Sequence, residues 1–248
     1  MKVVATYTVK GGVGKTTTAV TLATMAAARH RTLLWDLDPQ GAATWLLDVK
    51  PRRRNDAHEL ARGKVDLADL ARDSDVPNLR VVPAHESYRD LDVALDAAKK
   101  GDRRVGTLLD GVRKETDVVV LDCPPAASAL AESVLRAADV LVVPIVPSPL
   151  STRALAQVVE RVAALDVKRP PLVLGFLSMV DRRKAMHREL VETLPAQSAA
   201  VLPIAVPYAS AVEQLAVRRA PLEVVAPRSP ATAAYRELWA SVERALGL

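Results

Sequence analysis

The chain reads as an α/β domain with a doubly wound, mostly parallel sheet and helices on both faces. Three observations predict this. Short β-branched and aliphatic runs alternate with helical stretches along the 248 residues, the order that gives parallel strands joined by crossover helices. The first run is followed at once by a glycine-rich turn and an apolar helix, KVVATYTVKGGVGKTTTAV over residues 2–20. Two runs end in aspartates, Asp36 and Asp122, and sheets of this kind bind ligands beyond the carboxyl ends of their strands.

Residues 3–9 are the first strand. Lys10, Gly11, Gly12, Val13 and Gly14 make the turn, and Lys15, Thr16 and Thr17 open a helix predicted over 16–29. Without Cβ atoms, glycines let backbone N–H groups close on phosphate oxygens, and the helix dipole favours the same anion. Lys15 is placed for the β- and γ-phosphates of a nucleotide and the Thr16 hydroxyl for the magnesium between them. The usual G-x-x-x-x-G-K-[ST] pattern fails at its first position, which is Val9. In its place stands Lys10-Gly11-Gly12-x-Gly14-Lys15-Thr16-Thr17, with two lysines.

Residues 31–37 are a second buried strand. Alternation puts Asp36 and Asp38 on one side of it, one to support magnesium and the other to position a water; the competing reading is a pair of turn-forming aspartates before Pro39. Residues 51–72 look like a surface insertion with helical patches, and Arg52–Arg54 like a solvated charge run, with nucleic-acid contact the second reading. A short strand at 79–82 precedes helices at 86–100 and 103–116, separated by Gly101.

Residues 117–121, DVVVL, are a central parallel strand. It delivers Asp122, a second carboxylate for magnesium. Cys123 reads as a small buried hydrophobe. A helix at 127–136, a strand at 140–144, a helix at 151–165 with Leu155, Val158, Val159 and Val162 as its apolar stripe, and a strand at 172–180 follow. Basic residues then cluster at Arg182, Arg183 and Lys184, and again at Arg218 and Arg219. The closing helix, 231–246, carries Tyr235, Leu238, Trp239, Val242, Ala245 and Leu246 on one face. Arg236 and Arg244 are balanced by Glu237 and Glu243, so packing on the sheet is expected rather than membrane insertion. No repeat or linker divides the chain, and 1–248 reads as a single domain.

Half the residues are hydrophobic, which excludes disorder. One cysteine excludes an internal disulfide. The net charge of +5 permits nucleic acid. Thirteen Lys/Arg against nine Asp/Glu lie from Ser151 onward, so most of the excess sits there. Aromatics at 3% offer little stacking platform for single strands, and no base-reading motif is visible, so any binding is expected to be to duplex phosphates. With the cradle strand beginning at residue 3 and no run long enough to span a membrane, a cytoplasmic protein is expected.

At KGGVGKTTTAVTLA (10–23), DLDPQGAAT (36–44) and VVVLDCPP (118–125) the chain resembles the ParA/MinD family of ATPases, a deviant form of the P-loop NTPases, and most closely its short ParA branch. The resemblance implies ATP and Mg2+ as cofactors and a nucleotide-sandwich homodimer in which Lys10 reaches the partner's ATP. It gives the water to Asp38 and a second switch to the loop after Cys123. It sets Pro207 beside adenine, although Tyr208-Ala209 here departs from the family's polar or basic residues. It implies non-specific duplex DNA contacts, best at Arg183, with Arg182, Lys184, Arg218 and Arg219 beside it. A ParB-like or small adaptor would stimulate hydrolysis, and nucleoid association would position plasmid, chromosome or protein cargo. The rival readings are a MinD-like membrane regulator, an electron-transfer or metal-insertion ATPase, which wants shared cysteines, and a tyrosine autokinase, which wants a tyrosine-rich tail.

Overall fold

The computed structural model describes residues 1–51 and 57–248. Among these, the apolar runs form one eight-stranded sheet: β1 (Lys2–Thr6), β2 (Thr32–Asp36), β3 (Arg72–Asp73), β4 (Leu79–Val82), β5 (Val118–Asp122), β6 (Val140–Ile145), β7 (Leu172–Val180) and β8 (Val201–Pro207). Their spatial order is β3-β4-β2-β5-β1-β6-β7-β8, and every pairing is parallel except that of the short edge strand β3 with β4. The helices are α1 (Lys15–Ala27), α2 (Ala42–Leu46), α3 (Ala57–Arg62), α4 (Leu67–Leu70), α5 (Leu91–Asp96), α6 (Arg104–Leu109), α7 (Ala129–Ala137), α8 (Pro149–Ala163), α9 (Ala185–Gln197), α10 (Ser210–Arg218), α11 (Leu222–Val225) and α12 (Pro230–Leu246).

Alternation along the strands builds two cores. Val3, Ala5, Leu33, Trp35 and Leu121 face one layer, packed with residues of α3 to α8. Val4, Leu34, Val120, Val142 and Phe176 face the other, under α1, α2 and α12. Small residues let α1 lie close on the sheet: Ala19, Ala23 and Ala26 are fully buried. In α12 the residues Tyr235, Leu238, Trp239, Val242 and Leu246 are buried, with Tyr235 edge-on to Phe176 at 6.2 Å between ring centroids. The apolar face of this helix is therefore spent on the sheet, while Ala245 is exposed. Among the described residues no helix is long and apolar enough to cross a membrane.

The structure corrects several expectations. The segment before β3 is no surface insertion: Ala57, Leu60, Ala61, Leu67 and Leu70 are buried in the first core, hidden in sequence by their charged neighbours. Arg52–Arg54 lie outside the described residues. The helix expected at 86–100 is a 3-10 turn, Glu86–Asp90, followed by the short α5, and that at 103–116 breaks into α6 between two 3-10 turns. Gly101 is obligatory at the break, because a Cβ there would overlap the Leu95 carbonyl. On α8, Leu155, Val158 and Val162 are buried but Val159 is exposed, so the apolar stripe is narrower than it reads.

Candidate functional site

The loop from Lys10 to Gly14 joins the central strand β1 to α1 at the carboxyl edge of the sheet. Gly12 (φ +69°) and Gly14 (φ +93°) hold left-handed backbone, which side-chain-bearing residues enter only at a cost. A Cβ at Gly11 or Gly12 would meet nothing within 4 Å, so the loop is open on the side from which an anion arrives. Gly14 is the N-cap of α1 and offers no capping side chain, leaving first-turn N–H groups free for an external acceptor. Val13 is buried beneath the loop, and Thr16 and Thr17 are half-buried at the start of the helix.

The two lysines part company here. Lys15 is 7% exposed, and its ammonium donates to the Lys10 carbonyl at 3.2 Å, inside the loop. Burial lowers its pKa, opposed by the charges of Asp122 and Asp38. Lys10 points out of the loop, donating to Ser151 Oγ at 3.0 Å and Ser148 Oγ at 3.4 Å at the N-terminus of α8.

Asp36 and Asp122 are opposite residues of the β2–β5 ladder, and Thr6 of β1 is opposite Asp122. Both carboxylates are fully buried. Asp36 Oδ2 accepts from the Thr44 backbone N–H (2.8 Å) and hydroxyl (2.7 Å). Asp122 Oδ1 faces the Thr6 hydroxyl at 3.4 Å, while its Oδ2 has no hydrogen-bond partner. Burial raises the pKa of both; Asp36 pushes Asp122 up further, and the hydroxyl of Thr16 and the charge of Lys15 oppose that rise. A buried carboxylate pair with an orphaned oxygen suits a cation. Magnesium fits: it takes one or two carboxylates, a hydroxyl and phosphate oxygens rather than an all-protein cage. Thr16, Asp36 and Asp122 are the groups that would hold the ion, directly or through water, and it would supply positive charge against the β- and γ-phosphates.

Asp38 is half-buried beyond the end of β2. Its N–H donates to Asp36 Oδ1 at 3.3 Å, and its Oδ1 accepts from Gln40 N at 2.9 Å, so it also shapes the turn that leads to α2. Cys123 is buried, and burial pushes its thiol pKa well up, the environment of an inert core sulfur.

A cavity of about 230 Å³ opens from Gly14 and Thr17 and is walled by Met179, Pro207, Tyr208 and Val212. It is apolar and continuous with the phosphate loop, as a nucleobase requires. Pro207, expected beside adenine, is one wall of this cavity. Met179 sits at φ +54° where the β7–β8 register shifts, a bulge that re-aims one side chain. Larger clefts of about 420 and 710 Å³ elsewhere share no residue with the loop.

The predicted basic residues are exposed but differ in availability. Arg183 is bound to Asp181 through both Nε and Nη2 at 2.9 Å, holding that carboxyl down at about 2. Arg182 and Lys184 flank it. Arg218 ends α10, whereas Arg219 pairs with Asp48 at 2.7 Å and lies over the Trp45 ring at 4.2 Å. Sequence reasoning missed Thr44, Ser148, Ser151 and Met179. The one available signal was the closeness of Thr44 to the Asp36–Gly41 turn.

A glycine loop with a buried lysine, two ladder carboxylates at its flank and an adjoining base-sized cavity define a nucleoside-triphosphate-binding protein of the P-loop class. A family model described as an AAA domain matches residues 1–171. The chain is 30% identical over 203 residues to the chromosome partitioning protein ParA of Caulobacter vibrioides, covering 79% of this chain and 76% of that one. It belongs to the ParA/MinD family of ATPases, among the ParA-like partition and positioning proteins. In fold it is similar to McdA of Cyanothece in complex with ATP (TM-score 0.85, 20% identity, 100% of this chain and 97% of that one). It is similar too to cobyrinic acid a,c-diamide synthase of Mycobacterium smegmatis with ADP and magnesium (TM-score 0.79, 24% identity, 98% and 94%).

Proposed function

We propose that this chain is a magnesium-dependent ATPase that closes around ATP as a sandwich dimer, binds duplex DNA without sequence preference, and hydrolyses ATP when an adaptor docks, so positioning a cargo. The observation that carries the reading is the division of labour between the lysines: Lys15 is buried within its own loop, while Lys10 projects out of it. A second cation outside its own cradle, held only by two serine hydroxyls, can be handed to a neighbouring subunit. The ATP of the McdA complex and the ADP and magnesium of the synthase complex support the same ligands here.

In this reading the loop amides and Lys15 hold the phosphates, and Lys10 of the opposing subunit adds charge where it develops in the transition state. Asp38 orients the water. Its carboxylate is engaged in a turn, and Lys10 is held by two serines, so both must change partners before reaction. Turnover should therefore be slow until the partner docks. Duplex binding would fall on Arg182 and Lys184, with a steep salt dependence.

Sedimentation velocity with Mg-ATP tests the dimer. The native chain and Asp38→Ala should sediment as dimers and Lys10→Ala as a monomer that still binds ATP. A native chain that binds ATP yet stays monomeric overturns the reading.

A further inference from the structure

We propose that Arg219 is a positioning residue of the nucleotide site and not a nucleic-acid contact: it ties the end of α2 to the end of α10 and so keeps Thr44 on Asp36. The inference rests on the reading that this site binds Mg-ATP.

The tie has unusual ends. Asp48 (φ +51°), just past α2, and Arg219 (φ +46°), which terminates α10, both hold left-handed backbone. Glycine is the ordinary residue at such helix ends, and a side chain there carries a conformational cost. Here both side chains are used, and on each other: Arg219 Nη1 meets Asp48 Oδ1 at 2.7 Å, and its guanidinium lies 4.2 Å from the centroid of the half-exposed Trp45 ring. Ion pair and cation–π contact fall on opposite ends of one short segment, so a single planar group fixes its position.

That segment leads to the metal side. Trp45 follows Thr44, whose N–H and hydroxyl both hold Asp36 Oδ2. α2 is only five residues long and has no side-chain cap, so an outside anchor matters to it. At the other end of the tie, α10 contributes Val212 and Glu213 to the base-sized cavity. A guanidinium already committed to a carboxylate and a ring is a poor phosphate ligand.

The test is ATP binding by calorimetry with magnesium and with EDTA, and duplex DNA binding across a salt series, for the native chain, Arg219→Ala and Arg219→Lys. Arg219→Ala should weaken Mg-ATP about three- to tenfold, leave ATP in EDTA within about twofold, and leave the salt slope of DNA binding unchanged. Arg219→Lys should recover part of the loss. A salt slope reduced by about one with Mg-ATP affinity intact would make Arg219 a phosphate contact and overturn the proposal. Equal losses with and without magnesium would also overturn it, by showing a general structural role. Failure of the native chain to bind Mg-ATP would instead overturn the reading of the site.

Discussion

Replacing Thr44 by valine removes one hydroxyl and two buried hydrogen bonds. The hydroxyl donates to Asp36 Oδ2 at 2.7 Å and accepts from the buried N–H of Ala84 at 2.8 Å. Losing a bond to a charged acceptor costs about 1.5–3 kcal/mol, and the orphaned N–H costs about 1–3 kcal/mol more. Valine fills the same volume and recovers under about 1 kcal/mol, so the net loss is about 1.5–6 kcal/mol. Thr44→Ser keeps both bonds and gives up one buried methyl, about 1 kcal/mol. For a chain of this size each kcal/mol moves Tm by about 2–4 °C. Valine should therefore lower Tm by about 3–24 °C and serine by about 2–4 °C, read by circular dichroism without nucleotide. The valine variant should also lose Mg-dependent ATP affinity. Equal losses for valine and serine would show that the site contributes packing alone, and would refute the hydrogen-bond argument.

Other predictions follow from the same geometry. Gly14→Ala forces alanine to φ +93° with its Cβ 3.2 Å from Ser178 Oγ; a loss of about 1–2 kcal/mol and weaker nucleotide binding should appear in denaturation and calorimetry, and an unchanged chain would refute the loop geometry. Asp122→Asn should flatten the pH dependence of the metal-free protein. Burial beside Asp36 raises the Asp122 pKa from 3.8 to about 8, so the folded chain keeps a proton that the unfolded chain has released. Stability is therefore greatest below the ordinary carboxylate value and falls as pH rises toward the raised one, by about 1.4 kcal/mol per pH unit. Urea midpoints at about pH 5.5, 6.5 and 7.5 should show that slope in the native chain and its loss in the variant. Tyr235→Phe removes a 3.3 Å bond to the Thr18 hydroxyl and should cost about 0.5–1.5 kcal/mol in the same assay.

The sheet and the loop were legible because each depends on local pattern: β-branched runs for the strands, glycines at fixed spacing for the cradle, aspartates at the ends of β2 and β5. What stayed hidden depends on distance. Thr44 is one small polar residue among alanines, and its role appears only when the turn folds it back on Asp36. Arg183 reads as the best phosphate contact, and its pairing with Asp181 at 2.9 Å shows only in the fold. The buried faces of α3 and α4 were masked by the charges beside them, and that Val159 of α8 turns to solvent shows only in the fold.

Because Asp36 and Asp122 are rungs of one ladder, the interval between their backbones is fixed by strand spacing rather than by any loop. That interval can be changed only by unzipping the middle of the molecule. The base-facing half hangs on the bulge at Met179, the end of β8 and α10. Mild heat or denaturant should therefore erase discrimination among nucleobases well before the grip on triphosphate fails.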